Sequence, residues 1–209
     1  MKNNYLYISP SRVDEIIKFL PTDKSFNLIE YGPGSGNTLI AIKDKFPKSK
    51  VHGFDIYPTQ TMNKKIKIDH LDIEDNSSLM RFKELIHNSN YHLFNDVIEH
   101  LKDPFNFFDH FLKIINQDSI IIISCPNFAS IRFLFAWINA DFPKTNSGFF
   151  DKTHLHWFTK KELEKYFLNQ NFEILGSNFI FSKKNIFKYF QLIWPLRLCS
   201  QFQIIIKRL

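Results

Sequence analysis

The sequence predicts a doubly wound α/β fold, and three observations lead to it. Strand-length runs of β-branched and aromatic residues alternate with segments of helical period. A glycine-rich turn, Gly32-Pro33-Gly34-Ser35-Gly36, joins the first such strand to the first such helix. Ser119-Ile120-Ile121-Ile122-Ile123-Ser124 is a continuous run of the kind that forms a central strand buried on both faces. A chain of 209 residues suits one domain, so residues 1–209 are read as a single unit.

Each element follows from its own pattern. Ser11 to Leu20 reads as a helix, with Ser11 as N-cap and apolar residues at Val13, Ile16, Ile17 and Leu20. Phe26 to Tyr31 is the first strand, and Thr38 to Phe46 is a helix stopped by Pro47. Val51 to Ile56 is the second strand and Lys65 to Leu71 the third. Ser77 to Ile86 has helical period, Tyr91 to Ile98 is a fourth strand, and Pro104 to Ile115 is a helix with a dense Phe face. After the fifth strand the rhythm changes. Phe128 to Ala140 is an apolar helix and Asp141 to Gly148 a polar turn, making a lid-like insert over about 128–150. A helix near Lys160 to Leu168 precedes strands at Phe172 to Phe181 and Phe202 to Lys207, with a basic aromatic insert over about 182–200 between them.

Composition narrows the class. With 44% hydrophobic and 23% charged residues the chain is globular rather than disordered or fibrous. The net charge of +6 is unevenly placed. Residues 174–209 contain no acid and hold Lys183, Lys184, Lys188, Arg197, Lys207 and Arg208, so residues 1–173 sum to zero. A surface for nucleic acid along the whole chain is therefore not implied. Cys125 and Cys199 are too few for a disulfide framework or a zinc site. The start of the chain lacks a signal-like apolar run, and no stretch reaches the roughly 18 apolar residues that span a bilayer. A cytoplasmic location is expected. The 24 Phe residues read as coding bias.

The glycine turn carries the first functional signal. Glycines let the backbone bend tightly and let a ligand approach where a Cβ would stand. Asp55 ends the second strand, 19 residues after Gly36, where a carboxylate can accept from both ribose hydroxyls of a nucleoside. The dinucleotide fingerprint G-x-G-x-x-G needs a glycine at position 37, which is Asn, so a nicotinamide dehydrogenase is disfavoured.

On these residues the chain resembles class I S-adenosylmethionine-dependent methyltransferases. Leu28 to Gly36 looks like their first motif, Asp55 like the acid closing their second strand, Leu71-Asp72-Ile73-Glu74 like their third motif, and Asn95 to Leu101 like their fourth. The resemblance spans about residues 26–181 and implies a Rossmann-like, mostly parallel seven-stranded sheet with an antiparallel last strand. It implies that Glu30, Gly32, Gly34 and Gly36 hold the amino-acid portion of the cofactor. By the same resemblance Asp55 with Ile56 holds ribose, Asp72 and Ile73 flank adenine, and Asn95 with Asp96 opens the fourth-strand side.

If the chain leaves the fourth strand as a helical turn, Asp96, Glu99 and His100 converge on one point. Gly148 to Thr159 resembles a segment of methyltransferases from surface-glycan clusters, although His156 stands where Arg is usual. The ubiquinone-pathway O-methyltransferases carry a similar Thr-His pair. The resemblance implies methylation of a sugar or small-metabolite hydroxyl, with His100 or His154 as general base and Glu99 beside them. Asp96-x-x-Glu99-His100 with His154 also resembles a set that binds Mg²⁺ or Mn²⁺ in RNA ribose 2′-O-methyltransferases. A metal and an RNA acceptor form the rival reading, and a cofactor-binding scaffold without turnover is a second. The aromatic and basic residues over 183–199 suit a docked helix, a dimer surface or peripheral contact with the inner face of a membrane. The oligomeric state is left open.

Overall fold

Alternation along the strands decides how this chain folds. The computed structural model describes residues 10–58, 66–181 and 195–209. In order these form α1 (Pro10–Lys18), β1 (Asn27–Tyr31), α2 (Asn37–Lys45), β2 (Lys50–Asp55), β3 (Lys67–His70), α3 (Asn76–Arg81), α4 (Lys83–His87) and β4 (Tyr91–Asn95). A 3-10 turn (Ile98–His100) follows, then α5 (Pro104–Phe111), β5 (Ile120–Pro126), α6 (Ile131–Ile138), α7 (Lys160–Asn169), β6 (Phe172–Ile180), α8 (Pro195–Leu198) and β7 (Gln201–Arg208). One seven-stranded sheet results, in the order β3-β2-β1-β4-β5-β7-β6. Neighbours from β3 to β5 pair in parallel, and β7 runs antiparallel to both β5 and β6.

Successive side chains of the central strands enter different cores. Ile121 and Ile123 of β5, Ile204 and Ile206 of β7 and Phe94 of β4 face a core shared with α4, α5 and α7. Ile122, Ile205 and Leu93 face the opposite core, with Ile16 of α1 and Leu39 and Ile42 of α2. The sheet is thus covered on both sides, which is what the all-apolar fifth strand requires. The phenylalanines of α5 are core mass. Phe107, Phe108 and Phe111 of α5 pack as rings against Phe94, and Tyr31 stacks on Phe94 with centroids 4.5 Å apart. Full burial of each such side chain favours folding by roughly 1.5–3 kcal/mol.

Several boundaries differ from the expected ones, for local reasons. The single helix expected over Ser77–Ile86 is two, broken at Phe82, whose ring packs on Phe54 at 4.6 Å. The fourth strand stops at Asn95 rather than Ile98 because Asp96 takes φ 51 and turns the chain. The apolar helix starts at Ile131, where Ser130 accepts from the Arg132 N–H as its N-cap. Of the basic insert, residues 182–194 lie outside the described residues, and α8 is its described end. Among the described residues no helix is long and apolar enough to cross a membrane. Both cysteines are buried and are not joined in a disulfide.

Strand order reverses between β1 and β4, since the chain winds outward from β1 through β2 to β3 and then returns. A crevice opens at such a switch point, beyond the carboxyl ends of the strands. Glu30, Asp55, Asn95 and the turn that follows each strand lie there.

Candidate active site

The glycine turn is shaped by what surrounds it. Gly32, Gly34 and Gly36 have φ of 66°, 53° and 75°, a left-handed region that L side chains rarely adopt. A Cβ on Gly32 would come within 2.7 Å of Val97 Cγ2, so the loop after β4 presses on the turn after β1. Gly53 on β2 serves the same end, because a Cβ there would meet Pro33 at 2.9 Å. Asp55 fastens the turn. Its Oδ2 accepts from the Gly34 N–H at 3.0 Å and its Oδ1 from the Tyr57 N–H at 2.8 Å. Each carboxylate oxygen keeps a further lone pair for a ligand. Ile56, next in line, is exposed beside it.

Glu30 is the most unusual group in the crevice. It is only 1% exposed, near the end of a strand whose Leu28, Ile29 and Tyr31 are core residues. Ser124 Oγ donates to Asn95 Oδ1 at 3.1 Å, and Asn95 Nδ2 donates to Glu30 Oε1 at 2.9 Å, so three strands share one polar relay. Glu30 Oε2 and Thr38 Oγ1 are buried without a hydrogen-bond partner. Burial pushes the Glu30 carboxyl up to about 7, with the Asp55 charge adding to the rise and the Asn95 and Thr38 side chains opposing it. A buried acceptor of this kind fits a cationic amino group.

The adenine-side residues of the sequence reading stand across the crevice. Asp72 Oδ1 accepts from the Glu74 N–H at 3.0 Å, which holds the loop after β3, and Ile73 is buried against the larger core. Glu74 Oε1 in turn accepts from the Lys102 and Asp103 N–H groups at 2.7 and 3.1 Å. The loops after β3 and β4 are therefore tied together.

The second cluster stands over the end of β4. The 3-10 turn presents Glu99 and His100, and the main-chain oxygen of Glu99 accepts from the N–H groups of Leu155 and His156 at 2.8 and 3.1 Å. That pair of bonds docks the Thr153–His156 segment onto the turn. One ligand-capable atom from each of Glu99, His100 and His154 lies within 4.8 Å of the others. His154 Nε2 is 3.9 Å from Glu99 Oε1, and the two imidazoles meet edge to face with centroids 4.9 Å apart. Burial lowers the pKa of His154, and His100 nearby lowers it further, against the opposing charges of Asp151 and Asp96. Asp96 does not join the cluster. Gln201 Nε2 donates to both its oxygens at 3.1 Å, and the expected convergence of Asp96 with Glu99 and His100 is replaced by Glu99, His100 and His154. His156 is directed elsewhere, with Nε2 3.1 Å from the Lys102 carbonyl oxygen and its ring stacked near Phe158.

The lid-like insert packs mainly on itself. Phe133, the buried residue of α6, touches the rings of Phe128, Phe142, Phe149, Phe150 and Trp157. Trp157 lies 5.6 Å from the His154 ring, so this aromatic group adjoins the histidine cluster. Arg132 stands over Phe149 at 5.5 Å. The outer face of α6 is bare, with Trp137 78%, Ile138 60%, and Leu134 and Phe135 each 50% exposed. Sequence reasoning passed over Thr38, Gly53, Val97, Asp151, Thr153 and Gln201. Val97, Asp151 and Thr153 stood within noticed motifs without a role of their own; Thr38, Gly53 and Gln201 act through long-range contacts that spacing does not report.

Comparison with known proteins agrees with this geometry. The model of a methyltransferase domain family matches residues 5–176. No curated protein matches the chain. A SAM-dependent methyltransferase from Archaeoglobus fulgidus superposes with a TM-score of 0.65 at 15% identity, over 95% of this chain and 92% of that one. A SAM-dependent methyltransferase from Anabaena variabilis gives 0.64 at 16% identity, over 95% and 83%. An S-adenosylmethionine-dependent methyltransferase from Mesorhizobium loti gives 0.60 at 11%, over 93% and 96%. A switch-point crevice, a glycine turn that tolerates no Cβ and a buried acidic acceptor meet in one chain, which belongs to the methyltransferase-domain family as a class I enzyme using S-adenosylmethionine.

Proposed function

We propose that the enzyme methylates a hydroxyl group of a sugar or related small metabolite, with His100 as general base. The observation that carries this reading is the joining of His100, His154 and Glu99 at the carboxyl end of β4, beside the Glu30–Asn95 relay. When bound, the cofactor supplies an electrophilic methyl group on a sulfonium centre. In this reading Glu30 and the glycine turn hold its amino-acid portion, Asp55 with Ile56 its ribose, and Asp72 and Ile73 its adenine. A hydroxyl attacks poorly until its proton leaves, and the lone pair of a neutral imidazole can accept that proton. His100 is the imidazole whose Nδ1 faces Thr153, which leaves its Nε2 for a substrate. His154, buried against Glu99, positions it and excludes water. The aromatic group around Phe133 and Trp157 offers flat apolar faces to an acceptor, and the Gly148–Thr159 resemblance favours a glycan.

Glu99, His100 and His154 would also form three ligands for Mg²⁺ or Mn²⁺, and on that reading the acceptor is an RNA ribose. The fourth ligand that reading expects, Asp96, is bonded to Gln201 instead, which favours the proton-transfer role. The membrane is a further expected partner. The outer face of α6 is apolar and exposed, and Arg197 of α8 donates to the Ala129 carbonyl at the entry to α6, within a stretch of sequence (174–209) that carries six cations and no acid. An exposed apolar face with a cation at its edge is suited to an anionic bilayer surface. Cosedimentation with phosphatidylglycerol vesicles that is lost in Phe135→Ser/Trp137→Ser supports this placement; equal sedimentation of both proteins overturns it.

The reaction is tested with cofactor labelled in its methyl group and extract of source cells lacking the gene. Label recovered as an alkali-stable ether in the glycan or small-metabolite fraction supports the proposal. Label confined to RNA, and abolished by EDTA, overturns it in favour of the metal reading.

A further inference from the structure

His100 is held by a relay that the family resemblance does not supply. Thr153 Oγ1 stands 2.6 Å from Asp151 Oδ1, and the Thr153 N–H donates to the same oxygen at 2.8 Å. A separation of 2.6 Å is that of a hydroxyl donating to an ionised carboxylate. Partial burial opposes the charge on Asp151, but the two bonds from Thr153, with the nearby His154 and His100, hold its pKa below the usual carboxylate value. A threonine hydroxyl has one hydrogen, and here it goes to Asp151. Toward His100 the hydroxyl oxygen can therefore only accept.

Two oxygens face one ring nitrogen. His100 Nδ1 is 3.1 Å from Thr153 Oγ1 and 3.2 Å from the Thr153 carbonyl oxygen, which is also an acceptor only. A nitrogen set against two acceptors must carry the proton. A neutral imidazole has a single N–H, so Nε2 is left with its lone pair free. We infer that Asp151 and Thr153 are positioning residues that fix His100 as the Nδ1–H tautomer and present Nε2 as the proton acceptor for the substrate hydroxyl. The logic is that of a carboxylate holding a catalytic histidine in one tautomer, with a threonine interposed.

The relay is anchored in the lid. The Asp151 N–H donates to the Gly148 carbonyl at 3.1 Å, the Thr145 N–H donates to the Phe150 carbonyl and the Lys152 N–H to the Thr145 carbonyl, both at 2.9 Å. The His154 N–H donates to the Asp151 carbonyl at 3.1 Å. The loop that sets the tautomer is thus the loop that carries Phe149 and Phe150 into the aromatic group. Acceptor binding against those rings and orientation of the base share one piece of chain.

This inference rests on the reading of His100 as general base, and the experiment separates the two. Ring ¹⁵N shifts of histidine-labelled full-length protein are recorded at alkaline pH, with His100 assigned by its loss in His100→Gln. The wild type is expected to show a protonated Nδ1 and an unprotonated Nε2 at His100. Thr153→Val and Asp151→Asn keep the Thr153 carbonyl as an acceptor at Nδ1, so they are expected to shift part of the His100 population to the Nε2–H tautomer and to lower kcat about threefold or more with KM little changed, whereas Thr153→Ser keeps both at the wild-type values. An Nε2–H tautomer in the wild type overturns the relay whatever the kinetics. An Nδ1–H tautomer together with full kcat in His100→Gln overturns the base reading while leaving the relay in place.

Discussion

Replacing Glu30 by Gln separates stability from function in a way that few substitutions do. The carboxyl has a folded-state pKa of about 7 against an ordinary value of 4.5, so the folded protein holds its proton more tightly than the unfolded chain. Its contribution is full below pH 4.5 and is lost as pH rises through 7, because above 7 the folded state must bury a charge. At pH 8 the difference amounts to about 3 kcal/mol, taking 1.36 kcal/mol per pKa unit. Gln is nearly isosteric and carries no charge. Its oxygen can accept from Asn95 as Oε1 does, and its amide can donate to the Thr38 hydroxyl oxygen, which already acts on the Glu30 carboxyl. The variant without cofactor should therefore melt higher than wild type at pH 8, by roughly 5 °C or more, with the difference vanishing near pH 4.5. Cofactor affinity should move the other way, falling by tenfold or more as the anionic partner of the amino group is lost (a charged hydrogen bond is worth roughly 1.5–3 kcal/mol). The assays are thermal melts across pH and calorimetric titration with S-adenosylmethionine. Lower stability of the variant at pH 8, or wild-type affinity, would refute the argument.

Three other perturbations test the rest of the site. Gly32→Ala sets a Cβ 2.7 Å from Val97 Cγ2 at φ 66°, so it should destabilise by about 1–3 kcal/mol, and adding Val97→Ala should recover the steric share of the lost melting temperature. Asp55→Ala removes the acceptor of the Gly34 and Tyr57 N–H groups along with the expected ribose acceptor, and calorimetry should show cofactor binding weakened by roughly tenfold to a hundredfold. His100→Ala should lower kcat by about two orders of magnitude or more while leaving cofactor affinity unchanged, and steady-state rates of the wild type should be indifferent to EDTA.

The fold was legible because burial imposes period. An unbroken Ile120–Ile123 run between flanking helices has few homes other than the middle of a covered sheet, and it pairs there with β4 and β7. The glycine turn and the acid that fastens it were legible for a related reason. Glycines at left-handed φ and an acid at a strand end are local requirements, and local requirements leave a mark in sequence. What the sequence did not disclose depends on contacts between distant segments. Asp96 stands in the fourth motif and was expected with Glu99 and His100. Its positive φ, and the amide of Gln201 arriving on the antiparallel last strand, take it elsewhere. His154 reaches the cluster because the Glu99 carbonyl binds the two residues after it, a main-chain contact that no side-chain spacing encodes. The break at Phe82 likewise follows from one ring finding Phe54.

The account stands most directly on where the cofactor lies relative to the two clusters. A crystal structure with the demethylated product, S-adenosylhomocysteine, decides it. The account predicts the amino group on Glu30 Oε2, the ribose hydroxyls on Asp55, and the sulfur facing the space beside His100 Nε2. A product bound away from the β1–β4 crevice, or an ion seated among Glu99, His100 and His154, would contradict it.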